Sequence, residues 1–359
     1  MMNKKVILLK SYSIFLDDFF TAFSHWLKEQ SYTTVAFLID EKVYQAWQEK
    51  LNQVIKETNA ISILFEAGET HKHIATCENI WSQLLKNKVD RKGLLVNIGG
   101  GMTGDLGGFV AATFKRGIDF VQVPTTSLSM VDASIGGKVG INFSSIKNSI
   151  GVFCQPKAVF VDTSFLQSLS KREKISGLAE IIKHALIHDL KLWEKLKQLP
   201  DIPNTTDWDD IIYQGILVKQ YFVEKDPFER DIRKALNFGH TIGHALESFY
   251  LASDTPLLHG EAVAMGMVAE SYLSFLQNKI TEEDLNEITN VISRFFLIEV
   301  KSIPSKDALI QLMENDKKNE GAINFSLIGP LGQCNINATG DTDTIFESID
   351  YCMKNFSLS

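Results

Sequence analysis

The first half of this chain alternates short apolar runs with amphipathic segments, and this alternation restricts the folds open to it. The runs have the length of strands, and the segments between them carry apolar residues at helical spacing. Strands that alternate with helices form a mostly parallel sheet covered by helices on both faces. We therefore predict strands at Val6–Leu9, Thr34–Ile39, Ile61–Phe65, Leu94–Ile98, Phe120–Val123 and Ala158–Val161, and helices over Tyr44–Lys56 and Ile74–Lys86.

The pattern changes after Lys171, where helical segments follow one another almost without strands. The predicted helices are Arg172–Ile187, Asp209–Val223, Leu236–Tyr250, Glu261–Leu276 and Glu282–Phe296, and one strand is expected within Ala322–Ile328. The sequence thus predicts an α/β protein with two domains. A Rossmann-like α/β domain with a mostly parallel sheet spans residues 1–168, and a mainly α-helical domain spans residues 169–359.

Composition excludes several classes of function. The 359 residues are 45% hydrophobic and 22% charged, with a net charge of −8, which argues against binding of nucleic acid through a basic face. The sequence has no apolar run of the length needed to span a membrane. Four widely spaced cysteines without a CxxC pair are typical of reduced thiols. We expect a cytoplasmic protein that binds neither nucleic acid nor membrane.

A glycine cluster, Gly99–Gly104, follows the predicted strand Leu94–Ile98 and satisfies G-x-G-x-x-G. Glycines there let backbone amides approach a phosphate closely. The usual dinucleotide fingerprint also requires an acid that closes the next strand, about 20 residues on, and that strand ends at Pro124 without one. Asp40 instead closes an earlier strand, where it would either bind ribose, which favours NAD over NADP, or cap the following helix.

Residues with ligand chemistry recur later in the chain. His240 and His244 lie four residues apart, on one helix face, and His259 precedes another helix. Glu180 and Lys183 occupy an otherwise apolar helix, where burying both charges is costly unless they serve a site. One glutamate and two histidines with an open position form a catalytic zinc set. Spacing leaves open which two histidines bind, and a structural histidine pair is the alternative.

Charged residues are also concentrated just upstream of these histidines. Lys219, Asp226, Glu229, Arg230 and Arg233 precede Asn237, and they form either a solvated face or substrate contacts. Lys138 and Lys147 lie in glycine-rich or polar segments and add positive charge suited to a phosphorylated substrate. A nucleotide, a phosphate and a metal in one chain together indicate an enzyme.

Several ordered motifs resemble those of the 3-dehydroquinate synthase family, a branch of the sugar-phosphate cyclases. They are GETHK, GGGMTGDLGGF, FKRG, VPTTSLSMVDASIGGKVGIN, IKNSIG, QPKAVFVD, GLAEIIK, NFGHTIGHALE, LHGEAVAMGM and NDKKN, and they extend from about Asp40 to about Gly329. The resemblance implies NAD and a divalent metal, zinc or cobalt, and a homodimer. It also implies a lyase of the shikimate pathway, which leads to chorismate and the aromatic amino acids.

The implied substrate is a phosphorylated keto acid, 3-deoxy-D-arabino-heptulosonate 7-phosphate, and the products are 3-dehydroquinate and phosphate. The implied reaction comprises transient oxidation by NAD, phosphate elimination, re-reduction and intramolecular aldol closure. The family's metal ligands correspond here to Glu180, His240 and His259. Its NAD contacts correspond to Asp40, Glu69, Lys72, Gly100, Gly101, Asp105, Thr125, Thr126, Lys147 and Ser168.

The family's phosphate and substrate contacts also have counterparts. Phosphate contacts correspond to Lys138, Asn148, His244 and one of Lys317 and Lys318, with Arg116 contributed by a dimer partner. The remaining substrate contacts correspond to Asp132, Lys183, Lys219, Glu229, Arg233 and Asn237. The chain departs from the family at Val139 and Ser168, where Thr is usual, and at Pro227, where Glu is common.

Three other functions remain open from the sequence. The first is another NAD- and zinc-dependent cyclase, such as 2-epi-5-epi-valiolone synthase or 2-deoxy-scyllo-inosose synthase. The second is a metal- and NAD-dependent alcohol or glycerol dehydrogenase, which gives no role to Lys138, Lys147 and Asn148. The third is a binding module, which leaves the Glu180–Lys183 pair unexplained. The substrate carboxylate, which Arg233 and Lys219 are suited to bind, favours dehydroquinate synthase.

Overall fold

The chain folds into two units, Met1–Ser170 and Lys171–Ser359. The computed structural model describes residues 5–144, 146–200, 203–251, 253–298, 300, 304–314 and 323–356, without the side chains of residues 205 and 206. The predicted α/β fold with a mostly parallel sheet, followed by a helical part, is confirmed. No helix within these described ranges is both long enough and apolar enough to cross a bilayer.

The first unit is built on a seven-stranded sheet in the order β1-β2-β9-β6-β5-β3-β4. Every pairing in it is parallel except β1 with β2. The strands β3, β5 and β9 are almost wholly buried, as expected when helices cover both faces. The strands of this sheet are β1 Lys5–Leu8, β2 Ser13–Leu16, β3 Val35–Asp40, β4 Ile61–Phe65, β5 Leu94–Gly99, β6 Asp119–Pro124 and β9 Ala158–Val161.

An antiparallel hairpin, four α-helices and several short 3-10 or π turns make up the rest of the described part of the first unit. The hairpin consists of β7 Lys138–Phe143 and β8 Ile146–Phe153, which the sequence analysis did not predict. Its glycines face each other so closely that a Cβ at Gly140 would lie 2.6 Å from the Ile150 carbonyl oxygen. The helices are α1 Phe19–Lys28, α2 Glu41–Thr58, α3 Ile74–Lys86 and α4 Gly101–Thr113.

The second unit is mainly helical, as predicted, with one small hairpin of two strands. Its helices are α5 Lys171–His188, α6 Leu190–Gln198, α7 Thr205–Lys225, α8 His240–Tyr250, α9 His259–Leu276, α10 Glu282–Phe295, α11 Lys306–Glu314 and α12 Thr342–Phe356. Its strands are β10 Phe325–Ile328 and β11 Cys334–Ala338. Nearly all of α9 is buried, and the helix is apolar around its circumference, which makes it the central element.

Glycines bring α8 and α9 into backbone contact. A Cβ at Gly266 would lie 2.0 Å from the Gly239 carbonyl oxygen, and one at Gly243 would lie 2.9 Å from that of Ala262. The predicted helix Leu236–Tyr250 is wrong at its start, because Gly239 adopts a left-handed conformation with φ of 79° and interrupts it. A separate 3-10 helix, Ile232–Asn237, precedes that break, and α8 begins at His240.

Candidate active site

Three candidate metal ligands of the second unit meet at one point. Glu180 lies within α5 and is completely buried, while His240 and His259 are the first residues of α8 and α9. The Nε2 atoms of His240 and His259 lie 3.3 Å and 3.7 Å from Oε1 of Glu180. Among the described residues, that oxygen has no hydrogen-bond partner. A buried carboxylate oxygen facing two imidazole nitrogens fits a divalent cation.

Buried carboxylates also fix the elements that carry these ligands. Lys183, one turn after Glu180, donates a hydrogen bond to the other oxygen of Glu180. Glu270 of α9, fully buried, accepts the backbone N–H groups of Gly239 at 2.6 Å and Ile242 at 3.1 Å. These amides belong to the first turn of α8, where the helix dipole favours a negative charge. Glu270 therefore fixes the start of the helix that carries His240.

The partners of the two imidazoles define which nitrogens are available. Nδ1 of His240 lies 3.1 Å from the carbonyl oxygen of Phe238, which can only accept a hydrogen bond. Nδ1 of His259 lies 3.2 Å from Oε2 of Glu247. With Nδ1–H of each ring donating to its acceptor, Nε2 is the nitrogen of each ring that faces Glu180 and that a metal would bind. The geometry thus favours His240 and His259 as the ligand pair.

His244 has a different environment. Its ring centroid lies 5.1 Å from that of His240 and 5.8 Å from that of His259. Its ligand atoms cluster with those of Glu247 and His259, which would form a second cation-binding arrangement that does not include Glu180. His244 therefore lies beside the Glu180 cluster without belonging to it.

The electrostatics of the cluster favour the binding of a cation. Burial favours the neutral form of Glu180, but Lys183 and His240 outweigh it and hold the pKa of Glu180 well below its usual value. Burial and the charge of Lys183 lower the pKa of His240 to about 3. Burial also opposes protonation of His259, but Glu180 and Glu247 raise its pKa to about 10. His240 is thus neutral at pH 7, and a metal competes with a proton at His259.

The charged segment upstream of α8 is largely inside the protein. Lys219 of α7, Asp226 and Arg233 are 6%, 8% and 1% exposed, so the alternative of a solvated face is wrong for them. Asp226 accepts three backbone N–H groups, from Arg230, Asp231 and Arg233, at 2.7–3.2 Å. Burial opposes ionisation of Asp226, but these donors and the Arg233 charge lower its pKa. The loop is therefore organised around a carboxylate anion.

Two other predicted substrate contacts meet in the same loop. Asn237 donates a hydrogen bond to Glu229 at 2.9 Å, and the guanidinium of Arg233 donates one to the carbonyl oxygen of Pro227 at 2.7 Å. Glu229 adopts a left-handed backbone conformation with φ of 56°, which is unusual for a residue with a long side chain. The loop therefore holds the guanidinium of Arg233, the carboxylate of Glu229 and the amide of Asn237 in fixed positions.

The glycine cluster of the first unit forms the expected strand-to-helix turn. Gly99 ends β5, and Gly100 caps α4 without a side-chain hydrogen bond to the first helical turn. A Cβ at Gly99 would lie 2.3 Å from Oγ1 of Thr103, so the turn requires glycine. Thr125, which donates its backbone N–H to Gly99, has a buried hydroxyl oxygen without a hydrogen-bond partner in the described ranges. An uncapped helix N-terminus beside an unsatisfied hydroxyl fits a dinucleotide pyrophosphate.

A polar cluster links predicted cofactor and phosphate residues of the first unit. Lys72, only 4% exposed, donates hydrogen bonds of 2.5 Å to Asp105 of α4 and to Asn148 of β8. Burial raises the pKa of Asp105, although Lys72 opposes this effect. Asn142 of β7 donates to Glu69 at 2.7 Å and accepts the backbone N–H of Asn148 at 2.8 Å. One asparagine therefore ties together residues predicted for two different ligands.

The remaining predicted residues have varied environments. Asp40 ends β3 and caps α2, since its Oδ1 atom accepts the N–H of Lys42 at 2.9 Å; its predicted contact with ribose stays a prediction. Ser168 accepts a hydrogen bond from Trp47 at 3.0 Å. Arg116 is exposed, with φ of 71°. After β6, the hydroxyl of Thr126 is hydrogen-bonded to that of Ser129, and Asp132 is half-buried in the turn that follows. Lys138 and Lys147 are exposed on the β7–β8 hairpin. Lys317 and Lys318 lie outside the described residues.

Three residues with evident roles were missed by the sequence analysis: Asn142, Glu247 and Glu270. Glu247 follows His240 by seven residues, which places both on one helix face, although this spacing does not indicate its contact with His259. Asn142 and Glu270 act on segments distant in the chain, at Glu69 and Gly239, and no local spacing reveals such contacts.

Most of the chain matches one family of known proteins. Residues 62–176 match the family described as 3-dehydroquinate synthase N-terminal, and residues 177–319 match 3-dehydroquinate synthase C-terminal. A curated 3-dehydroquinate synthase of Parabacteroides distasonis is 38% identical over 360 residues and covers 100% of both chains.

Two solved structures share the fold. One is 2-epi-5-epi-valiolone synthase from Streptomyces hygroscopicus subsp. jinggangensis with NAD⁺ and Zn²⁺ bound, with a TM-score of 0.85, 24% identity, and coverage of 98% of this chain and 99% of that one. The other is 2-deoxy-scyllo-inosose synthase with carbaglucose-6-phosphate, NAD⁺ and Co²⁺, with a TM-score of 0.86, 22% identity, and coverage of 97% and 99%. At these identities the likeness supports the fold alone.

Proposed function

Because the chain belongs to the 3-dehydroquinate synthase family, we propose that it converts 3-deoxy-D-arabino-heptulosonate 7-phosphate into 3-dehydroquinate and phosphate. In this role it is a lyase of the shikimate pathway. The convergence of His240 and His259 on the unsatisfied oxygen of Glu180 is the observation that carries the proposal, because this reaction requires a metal beside the substrate. The domain of residues 169–359 thus supplies metal and substrate contacts, and residues 1–168 bind NAD.

Glu180, His240 and His259 are the proposed ligands of a divalent ion, zinc or cobalt. When bound, such an ion lowers the pKa of a coordinated substrate hydroxyl. The buried Lys183 balances the carboxylate charge before the ion enters, and the Phe238 carbonyl holds His240 with Nε2 facing Glu180. These contacts support a preorganised ligand set, and two cyclases of the same fold contain Zn²⁺ or Co²⁺.

NAD is the proposed cofactor, and when bound it would supply reversible hydride transfer, so that the reaction would show no net redox change. The first-turn amides of α4 at Gly100 and Gly101 would bind its pyrophosphate. Asp40, at the end of β3, would accept hydrogen bonds from ribose, which favours NAD over NADP. The other proposed contacts are Glu69, Lys72, Asp105, Thr125, Thr126, Lys147 and Ser168.

The phosphate and carboxylate of the substrate call for separate cationic groups. We assign the phosphate to Lys138, Asn148 and His244, together with Lys317 or Lys318. Arg233 and Lys219, both buried, would pair with the carboxylate, for which a guanidinium is suited. Asp132, Lys183, Glu229 and Asn237 would hold the hydroxyl groups. Holding one substrate conformer supplies much of the rate in a cyclisation.

A homodimer is part of the proposal. The β7–β8 hairpin exposes a series of large apolar side chains, Phe143, Ile146, Ile150, Val152 and Phe153, which are 39–55% exposed. Apolar clusters of this kind are typical of protein interfaces. Lys115 and Arg116, in the first unit as well, both adopt left-handed conformations that direct a basic loop outward, which supports a contribution of Arg116 to a partner copy. A cytoplasmic location is supported by four cysteines that form no disulfide.

A substrate panel tests the proposed reaction. Purified protein receives the heptulosonate, sedoheptulose 7-phosphate or glucose 6-phosphate, with and without a chelator, while phosphate and NADH absorbance are followed. We expect phosphate from the heptulosonate alone, no net NADH, and loss of activity with the chelator. Phosphate from sedoheptulose 7-phosphate or glucose 6-phosphate instead would identify another cyclase, and net NADH would identify a dehydrogenase.

A further inference from the structure

Glu247 connects the two helices that carry the histidine ligands. It lies seven residues after His240, on the same face of α8, and its Oε2 atom lies 3.2 Å from Nδ1 of His259, the first residue of α9. Its side chain is only 14% exposed. A charged side chain with so little access to water is costly unless its partner matters to a site.

The chemistry of this contact determines the orientation of His259. A carboxylate accepts hydrogen bonds, so Nδ1 of His259 is held as a donor to Glu247 and Nε2 is the nitrogen left for a metal. Nε2 faces Glu180, whose Oε1 atom lies 3.7 Å away. His240 has an equivalent arrangement, with the Phe238 carbonyl in place of Glu247. Each histidine thus has one nitrogen held by an acceptor and the other directed to the same point.

The other use of Glu247 would be as a ligand itself. Its carboxylate and the rings of His244 and His259 also have ligand atoms close enough to surround an ion. In this structure, however, the Glu247 carboxylate lies at hydrogen-bond distance from Nδ1 of His259, at 3.2 Å. The unsatisfied oxygen of the fully buried Glu180 favours the position between the two Nε2 atoms instead.

We propose that Glu247 is a positioning residue that holds His259 by its Nδ1–H group and thereby slows release of the metal. The inference rests on the metal centre of the proposed function. It assigns Glu247 no contact with substrate or metal. Carboxylates that orient a histidine ligand in this way typically change metal affinity by about 10–100-fold when they are replaced.

Metal release tests this role without any substrate. Zinc-loaded wild-type protein, Glu247→Gln and Glu247→Ala are mixed with a chromogenic chelator, and the rate of zinc release is recorded. Glu287→Gln is the matched control, because Glu287 also accepts a ring N–H, that of Trp193 at 2.8 Å, but its described contacts are with Trp193 and Lys197. Thermal unfolding of the metal-free proteins checks that each variant is folded.

We expect release from Glu247→Ala to be about 10–100-fold faster than from wild type. Glu247→Gln should be intermediate, since its amide oxygen still accepts the Nδ1 proton but carries no charge. The control should release zinc at the wild-type rate. With excess zinc, kcat of Glu247→Gln should recover, and the absorption spectrum of its cobalt form should retain the wild-type coordination bands.

Equal release rates for wild type, Glu247→Ala and the control would overturn the inference. A cobalt spectrum of Glu247→Gln that shows loss of a ligand would also overturn it, because Glu247 would then bind the ion directly. Wild-type protein that retains no zinc would overturn the metal centre and this inference together. Wild-type protein that retains zinc but releases no phosphate from the heptulosonate would overturn only the proposed reaction, and the release rates would still test Glu247.

Discussion

The buried carboxylate of Glu270 accepts the backbone N–H of Gly239 at 2.6 Å, across the contact between α9 and α8. A second bond, from Ile242, makes this carboxylate the cap of α8. The residue that begins the helix, His240, lies between these two donors in the sequence. The position of a candidate metal ligand therefore depends on a buried carboxylate that belongs to none of the candidate ligand groups among the described residues.

Replacement of Glu270 by Ala should destabilise the protein by about 3 kcal/mol, because two buried N–H groups lose their acceptor. The free energy of unfolding, measured with urea on the metal-free protein, tests this expectation. Glu347→Ala, an exposed position on α12, is the control and should change stability by less than about 0.5 kcal/mol. Equal stabilities of the two variants would contradict the capping role.

Lys183 should contribute most to the stability of the protein when no metal is bound. Lys183→Met leaves the buried Glu180 carboxylate without its cation, which typically costs about 3–5 kcal/mol. A bound divalent ion supplies replacement charge, so zinc should reduce this deficit. Thermal unfolding with and without zinc measures the difference, and Lys195→Met, from a half-exposed pair with Asp210, is the control. A deficit that zinc leaves unchanged would argue against an ion beside Glu180.

Asp226 should contribute to stability in a pH-dependent way. Its pKa is lower in the folded protein than the unfolded value of about 3.9, so its contribution is complete above that pH and is lost as pH falls through the folded pKa. Asp226→Asn should cost roughly 2 kcal/mol at pH 7 and less below about pH 4. Urea unfolding at a series of pH values measures this, and a difference that grows on acidification would contradict it.

Asn142 should affect both cofactor and phosphate binding. Asn142→Ala removes its hydrogen bonds to Glu69 and to the backbone of Asn148, and we expect roughly tenfold weaker NAD binding and a similar increase in KM for the phosphorylated substrate. Calorimetry and steady-state kinetics measure the two effects. Asn79→Ala, on the exposed face of α3, should change neither. An effect on only one ligand would show that the two subsites are held independently.

Arg233 should favour binding of the substrate that carries a carboxylate. Arg233→Ala is expected to raise KM for the heptulosonate about 10–100-fold, since a charged hydrogen bond contributes about 1.5–3 kcal/mol, while NAD affinity stays constant. Arg233→Lys should recover only part of the loss, because an ammonium group lacks the bidentate geometry. Unchanged kinetics in Arg233→Ala would remove the carboxylate argument for this substrate.

The sheet was largely predictable because its strands are buried runs between clear turns. Ile61–Phe65 and Ala158–Val161 agree with the predictions at both ends. The β7–β8 hairpin was missed because β8 is exposed along its length and shows no alternation of buried and exposed residues. Val139 of that hairpin packs against Gly108 of α4 in the apolar core, where a buried hydroxyl would need a partner.

The candidate site was predictable in its chemistry more than in its geometry. The sequence indicated one glutamate and two of three histidines, but the facing nitrogens of His240 and His259 became evident only from the fold. Apolar periodicity continues through Gly239, so the helix break before His240 could not be seen. Contacts such as that of Glu247 with His259 join separate helices, and periodicity within one helix does not report them.

Because glycines lie where α8 meets α9, the distance between the two helices is set by contacts between main-chain atoms. Gly266 lies against the Gly239 carbonyl, and Gly243 lies against that of Ala262, so main-chain atoms meet directly at these two points of the contact. A larger residue at Gly266 would force apart α8 and α9, the two helices that begin with His240 and His259.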